Sequence, residues 1–590
     1  MMPVFAAAAA LLAPGLLLDL LLVPQKSGAL ARLARGHLLS LAAWPVVLFL
    51  LRWTPASLGG IAWTGVALGV VGSFALLLRR RAKTSATELC LCATVVAFAA
   101  AHLLPLARWP VAPGSDMAMH SFMARLVVEA GRMPSSYEPY YPVHEFGSFS
   151  AGFPMIAAVL SALSGAPAHR TALALALLVY PALAAALFLV ARRFAREVEA
   201  LAAAVLVATA SGPYAFLHWG GNPTILALAL GFAAIAPLVG APPGERREDD
   251  ERTMPVLAAG ATLVHVICPL GLAYATPMAV LGWTWLREPR GRRLARIGRL
   301  AALAAIAAGI VAIAYATGTH AEVSQREIDF TRSWQRDMPH AFRGRAADFA
   351  VTIWPYLDRM LGRTWTVAAG VGLAVAALSR DRRQLPWAAY ALVAALLVLN
   401  SRYWVLPGSP ALYPERMAEL LLAPAAAALA ASVAWGRSAL AAARPKLLWP
   451  AAVVLVAMGA QGVRGAYAGL RHAGGGVMVT AGDLAALSWL ELHVPPGQPV
   501  GNRFGDAGVW IPALAGRAVT RPHLNLFDTD EVERWARTVC PRWTFRGARS
   551  PFGVDAEMPS SEALRADAGQ REVFSSAGAA VFERVQLGAP

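Results

Sequence analysis

Apolar runs of membrane-spanning length recur in this chain from its N-terminus to about Val463. A helix needs about 20 apolar residues to cross the hydrocarbon core of a bilayer, and the sequence offers about fourteen such runs. Only 15% of the 590 residues are charged, against about 25% in soluble domains. A soluble core cannot bury that much apolar surface. The sequence therefore predicts an α-helical polytopic membrane protein.

The predicted spans divide the chain into four regions. Residues 1–106 hold the first transmembrane helices, and residues 107–170 form a large polar loop. Residues 171–466 form a transmembrane core with further loops, and residues 467–590 form a small soluble α/β domain. The predicted spans lie near 3–23, 38–52, 58–78, 89–106, 171–191, 199–217, 224–240, 254–270, 272–286, 300–317, 364–379, 386–399, 415–436 and 447–463.

Two apolar segments need separate interpretation. The first run, from about Pro3 to Val23, lacks a basic n-region and an obvious cleavage site, so we expect a retained helix rather than a signal peptide. The segment Phe153–Leu163 is too short to cross, which favours an interfacial or re-entrant position. The cysteines offer no disulfide framework, since Cys540 alone lies in the C-terminal domain.

The distribution of basic residues predicts the orientation. The net charge is +16, but the arginines lie in short loops between apolar runs, which is typical of membrane topology rather than nucleic-acid binding. These loops alternate with loops 107–170, 218–223, 318–348 and 400–414. By the positive-inside rule the basic loops are cytoplasmic in a bacterial plasma membrane, and the other loops and the C-terminal domain are extracytoplasmic. Chemistry gathered on the outer face indicates an exported or lipid-linked substrate.

The first outer loop contains the strongest candidate for catalysis. Ser115 is expected to cap a helix that starts at Asp116, and Gly131 followed by Pro134 is expected to end it. Asp116 and His120 are four residues apart and project from one face of that helix. Such a pair can share a proton, bind a cation or orient an acceptor. The alternative is that Asp116 is only a helix N-terminal charge favoured by the dipole.

The segments GSDMAMHSFMARLVVEAGRMP and DLAALSWLELHVPPGQPVGNRFGDAGVWIPALAGR, with the long first loop and the short apolar segment after it, resemble the GT-C glycosyltransferase superfamily. The resemblance implies a polytopic enzyme that takes a sugar from a polyprenyl-phosphate carrier. It also implies that Asp116 matches the catalytic acidic residue of the first loop. Three spans precede the usual first helix of that superfamily. The later outer loops show no second DxD or ExD-type pair, so no metal ligands are identified, and a divalent cation is only a candidate cofactor.

The loop NSRYWVLPGSPALYPER contains candidates for binding the donor phosphate. Arg402 and Arg416 stand at its two ends, with Tyr413 near the second. An arginine presents a rigid fork of donors suited to phosphate, and Arg416 also lies at the start of a span, where the helix dipole favours anions. The alternative is that both arginines extend to lipid headgroups and the aromatic residues form an interfacial belt.

Other polar residues on the predicted outer side are further candidates for substrate binding. His144 and Glu145 form a second polar pair, although their position favours simple loop solvation over a functional role. Asn222 belongs to the turn HWGGNP, which could admit a sugar close to the backbone or simply be a tight hairpin. His265 lies in an apolar span beside Cys268-Pro269, where the helix must break, and can be functional or structural. In the soluble domain, Asp506 is expected to have a folding role.

Three functions are consistent with these features. The first is a glycosyltransferase that uses a polyprenyl-phosphate sugar donor, with Asp116 as base and an acceptor glycan, lipid or protein that the sequence does not identify. The second is a flippase or transporter, which usually shows paired repeats and broken helices at mid-membrane. No internal repeat is evident in this sequence. The third is a non-enzymatic assembly factor for envelope polymers.

Overall fold

The apolar runs form α-helices in the computed structural model, which describes residues 2–23, 27–80, 85–143, 146, 150–240, 250–315, 370, 372, 374–375, 384–403, 414–443, 448–523, 530–551 and 559–585. The helices before the large loop are α1 Met2–Ala10, α2 Ala13–Leu22, α3 Ala29–Leu51, α4 Leu58–Arg80 and α5 Ala86–His102. The loop contributes α6 Asp116–Ala130 and α7 Gly152–Ser164. The core helices are α8 Ala168–Ala191, α9 Glu197–Ala208, α10 Ser211–Trp219, α11 Asn222–Ile235, α12 Met254–Val264, α13 Ile267–Arg287, α14 Arg293–Tyr315, α15 Leu385–Tyr403, α16 Pro414–Ala418, α17 Leu422–Ala443 and α18 Leu448–Ala473.

Eight of the described helical segments are long and apolar enough to cross a membrane, or nine if the bent pair α9 and α10 is one span. Shorter apolar helices include α7, α11, α12 and most of α15. The predicted span near 364–379 and the loop 318–348 lie largely or wholly outside the described residues. The polytopic helical class is therefore confirmed, and the count of fourteen spans stays a prediction.

The first apolar run contains one candidate membrane span, Phe5–Leu22, as predicted. Within it, a turn at Leu11 and Leu12 separates α1 from α2. Pro14 stands within the first two positions of α2, where its missing N–H costs no intrahelical bond. A proline at that position favours a new helix start, which explains the interruption.

Buried ion pairs join the N-terminal helices to the core at the end of the bundle that carries the basic loops. Asp19 of α2 is fully buried and bonds to Arg35 of α3 at 2.6 Å. The same Arg35 lies 3.2 Å from Asp250, and Arg193 lies 3.2 Å from the other oxygen of Asp250. Charges this deeply buried need such partners, because an uncompensated one costs several kcal/mol. Buried ion pairs therefore join the N-terminal helices α2 and α3 to the rest of the helical bundle.

The C-terminal domain follows α18 and contains a four-stranded mixed sheet. Its helices are α19 Ala481–His493, α20 Ile511–Leu514, α21 Asp530–Thr538 and α22 Ser561–Ala566, and its strands are β1 Val500–Gly501, β2 Trp543–Arg546, β3 Gln570–Ser576 and β4 Ala579–Arg584. The strand order is β1-β2-β4-β3, with β1 parallel to β2 and the other pairs antiparallel. The helices and the sheet are those of the small α/β domain that the sequence predicts at the C-terminus.

Asp506 has the folding role expected of it. Its two oxygens accept hydrogen bonds from the backbone N–H groups of Gly508 at 2.7 Å and Gly547 at 2.9 Å. Burial raises its pKa to about 6, although both hydrogen bonds oppose that shift. Asp506 therefore fastens the start of a short helical turn to the residue that follows β2.

Candidate active site

Helix α6 begins at Asp116 and ends at Gly131, as predicted. Gly131 takes a left-handed conformation with φ 64°, which terminates the helix in the usual way for glycine. The predicted cap at Ser115 is wrong, because that residue is helical and its side chain makes no capping hydrogen bond. The start of α6 is instead determined by the backbone segments packed against it.

Three glycine segments leave no room for side chains around the start of α6. A Cβ on Gly114 would overlap the carbonyl group of Trp219, and one on Gly476 would overlap the carbonyl oxygen of His218. A Cβ on Gly220 would lie 2.8 Å from the backbone nitrogen of Met117. The N–H of Gly114 also donates to the carbonyl of Gly476 at 2.9 Å. The turn HWGGNP is therefore packed directly against the helix start that carries Asp116.

The Asp116 carboxylate forms a hydrogen bond with a residue of the C-terminal domain. Its Oδ1 lies 2.9 Å from Nε2 of His523, which is 407 positions away in the chain. The His523 side chain is 6% exposed, whereas that of Asp116 is 26% exposed. The imidazole therefore occupies the inner side of the carboxylate, and the carboxylate remains partly accessible.

Several hydrogen bonds bring His523 to this position. The backbone of Val500 in β1 bonds to Ala518 and Thr520, so the chain before His523 runs extended beside that strand. Asn502 then holds the backbone of Arg521 through two hydrogen bonds of 2.8 and 2.9 Å. The ring of His523 also lies 5.9 Å from that of Phe504. His523 is thus held by the domain's own structure as well as by Asp116.

The charges near Asp116 favour its ionised form. Burial alone favours the neutral acid, but the hydrogen bond with His523, together with the charge of Arg416, outweighs it and lowers the pKa of Asp116. Burial lowers the pKa of His120 to about 3, although the Asp116 charge opposes that shift. Near neutral pH the site therefore presents an aspartate beside a neutral imidazole, whose ring packs 5.5 Å from that of Phe153.

Arg416, which the sequence suggests as a ligand for the donor phosphate, lies within electrostatic reach of the Asp116 carboxylate. It is half-buried at the start of the candidate span Arg416–Ala442, and its charge acts on Asp116 and on His265. One turn later, Glu419 is fully buried, and within the described structure neither of its oxygens has a hydrogen-bond partner. A cation and a buried carboxylate are therefore three residues apart at the start of this candidate span.

His265 lies at a break between two helices. α12 ends at Val264, and His265 has an extended backbone with φ −166° and ψ 111° before α13 begins at Ile267. The break predicted beside Cys268-Pro269 is therefore present. Gly152, at the start of α7, packs so closely on it that a Cβ would lie 2.6 Å from the carbonyl oxygen of Leu263.

The remaining candidates are less directly connected to Asp116. Asn222 is fully buried, and its Oδ1 accepts a hydrogen bond from the hydroxyl of Tyr180 at 3.2 Å. Arg402 lies within α15, while His144, Glu145 and Tyr413 lie outside the described residues. Across the described ranges, no group of three or more His, Cys, Asp or Glu residues is arranged to hold a metal ion.

Comparison with known proteins gives the family and the fold. A family model described as "Family of unknown function (DUF6541)" matches residues 8–539, which is most of the chain. The chain belongs to the DUF6541 family. No curated protein sequence matches this DUF6541 chain.

Two crystal structures of ArnT from Cupriavidus metallidurans resemble the DUF6541 chain in fold. One is the apo state and the other is bound to undecaprenyl phosphate. Each matches with a TM-score of 0.51 and 15% sequence identity, and covers 86% of this chain and 100% of the other. The chain therefore shares the ArnT fold, which agrees with the expected polytopic helical class with a small C-terminal α/β domain.

The residue that sequence reasoning missed in this DUF6541 chain is His523. It stands in RPHLNL, just beyond the strand-like segment that ends at Thr520. No local spacing relates it to Asp116, because the two meet only when the C-terminal domain docks on α6. No pattern in the sequence distinguishes this histidine from the other titratable residues of the C-terminal domain.

Proposed function

We propose that this protein is a membrane glycosyltransferase that moves a sugar from a polyprenyl-phosphate donor to an acceptor hydroxyl. The observation that carries this proposal is an ionised, partly accessible Asp116 within electrostatic reach of Arg416. The GT-C-like fold supports it, as does the ArnT structure that holds undecaprenyl phosphate. The proposed site lies on the extracytoplasmic side, as the positive-inside rule predicts.

In the proposed reaction, Asp116 acts as general base. Its carboxylate takes the proton from the acceptor hydroxyl as that oxygen attacks the anomeric carbon of the donor sugar. The bond between this carbon and the phosphate oxygen breaks, and polyprenyl phosphate leaves with its negative charge. His120 is neutral near pH 7, so it can donate a hydrogen bond to the acceptor or receive one from it.

Arg416 is proposed to bind the phosphate of the donor. A guanidinium can grip two phosphate oxygens at once, and a partly dry site strengthens the pairing. The position of Arg416 at the start of a candidate span suits a phosphate that arrives from the membrane interface. It also stabilises the charge that develops on the leaving phosphate.

The test is sugar transfer by purified protein from radiolabelled polyprenyl-phosphate sugars. Asp116→Asn is expected to lose roughly 100-fold or more in rate, because the amide cannot accept the proton. Glu129→Gln is the matched control, since it neutralises a carboxylate on the same helix whose partners are Arg125 and the hydroxyl of Tyr140. Equal transfer by Asp116→Asn and wild type would remove Asp116 from the mechanism.

The same assay separates phosphate binding from interfacial anchoring at Arg416. Arg416→Lys is expected to weaken donor saturation, because a point charge does not replace a two-pronged donor. Arg471→Lys is the control, since Arg471 is exposed in the last turn of α18 on the same predicted side. A lysine variant at 416 that saturates like wild type would indicate headgroup anchoring. Lipid translocation without transfer would favour a flippase.

A further inference from the structure

We propose that His523 is a positioning residue for Asp116, so that the C-terminal domain completes the active site instead of merely covering it. This inference rests on the proposed function for its effect on rate. Its structural basis is the hydrogen bond of 2.9 Å between Nε2 of His523 and Oδ1 of Asp116.

The hydrogen bond between His523 and Asp116 is additional to the contacts that dock the C-terminal domain on α6. Arg125 on α6 donates to the carbonyls of Ala513 and Leu514 at 3.3 and 3.2 Å. The hydroxyl of Tyr141, in the same large loop, accepts a hydrogen bond from the N–H of Val519 at 3.1 Å. Because these bonds hold the domain on α6 independently, His523 can be replaced with the domain still in place.

The chemistry of the pair explains what His523 does. An imidazole N–H that donates to one carboxylate oxygen fixes the rotation of the carboxylate and leaves the second oxygen for the acceptor hydroxyl. The bond also stabilises the ionised form, which is the form that accepts a proton. The other charged or titratable groups that act on Asp116 are His120 on its own helix and Arg416 on α16. His523 holds one carboxylate oxygen directly through its hydrogen bond of 2.9 Å, which is what orients the carboxylate.

The direction of the pH effect follows from this arrangement. Transfer requires the ionised carboxylate. The rate is therefore highest above the pKa of Asp116 and falls as the pH decreases through that pKa. Without His523, burial of Asp116 is less opposed and its pKa rises. The acidic limb of the pH–rate profile therefore moves to higher pH when His523 is removed.

The experiment compares His523→Ala, His523→Gln and Tyr141→Phe with wild type. His523→Ala is expected to lose roughly 10- to 100-fold in rate and to shift the acidic limb upward, because both the orienting bond and the charge are gone. His523→Gln keeps an N–H donor without the charge, so it should recover part of the rate and show a smaller shift. Tyr141→Phe removes a docking bond and should leave the acidic limb unchanged.

A second measurement makes the inference independent of transfer activity. Infrared titration follows the carboxyl band of Asp116, which is assigned by its absence in Asp116→Asn. The band should titrate at higher pH in His523→Ala than in wild type. If no donor sugar is transferred by wild type, the proposed function fails while this titration still tests the pair. Identical titration of the band in wild type and His523→Ala would overturn the inference.

Discussion

Buried carboxylates in this protein occur in two contrasting environments. Asp250 is buried between Arg35 and Arg193, each 3.2 Å away. Glu419 is buried just as deeply, but in the described structure its oxygens have no hydrogen-bond partner. An unpaired buried charge opposes folding, whereas a paired one becomes costly only when its partner is removed. The two residues should therefore respond differently to neutralisation.

We expect Glu419→Gln to keep the thermal stability of the protein, because the change replaces a buried carboxyl that has no hydrogen-bond partner in the described structure and breaks no ion pair. Asp250→Asn is the control and should lose about 3–5 kcal/mol, since Arg35 and Arg193 each lose a buried ion pair. The measurement is the unfolding midpoint of both variants in the same detergent. A loss in Glu419→Gln as large as that in Asp250→Asn would mean that Glu419 has a stabilising partner.

At the scale of elements, the start of α6 depends on the close approach of backbone segments. Gly114, Gly220 and Gly476 bring three chain segments together where a side chain would collide with backbone. Glycine permits both the contact and the positive φ, which is 88° at Gly114 and 103° at Gly220. The position of Asp116 is therefore set by packing that a helix cap alone does not provide.

Substitutions of the glycines on either side of α6 test whether backbone packing positions Asp116. Gly114→Ala places a Cβ on the carbonyl of Trp219, so it should displace the helix start and abolish transfer. Gly131→Ala is the matched control, because Gly131 has a similar φ of 64° but nothing within 4 Å of an added Cβ. We expect that control to lose only about 1 kcal/mol of stability from backbone strain and to retain activity. Equal activity in both variants would show that the packing does not position Asp116.

At the scale of the whole molecule, the basic loops predict one orientation. Arg292 belongs to a short helical segment before α14, and Gly474 follows α18 at the start of the C-terminal domain. We expect Gly474 to be extracytoplasmic and Arg292 cytoplasmic, by the positive-inside rule. Accessibility of single cysteines at the two positions to an impermeant reagent in intact cells measures this. Labelling of both positions, or of neither, would contradict the predicted number of spans between them.

Local patterns in the sequence were sufficient for the class of protein and for part of the site. Long apolar runs require a membrane because no soluble core can bury them. The start of α6 at Asp116, its end at Gly131 and the helix break near His265 follow from the local preferences of acidic residues, glycine and proline. The absence of a cap at Ser115 did not follow, because backbone segments distant in sequence pack against the start of α6. The turn between α1 and α2 did not follow either, because the apolar pattern continues without interruption across Pro14.

The sequence by itself determined that this chain is a polytopic helical membrane protein with a soluble α/β domain and an acidic residue at the head of its first large loop. Only the tertiary structure decided what surrounds that residue. His523 and Arg416 lie hundreds of positions from Asp116, and their proximity depends on how the domain and a distant span pack against α6. Hydrophobic periodicity and capping act over a few residues, whereas the charge state of a carboxylate depends on every group within a few ångströms, whatever its distance along the chain.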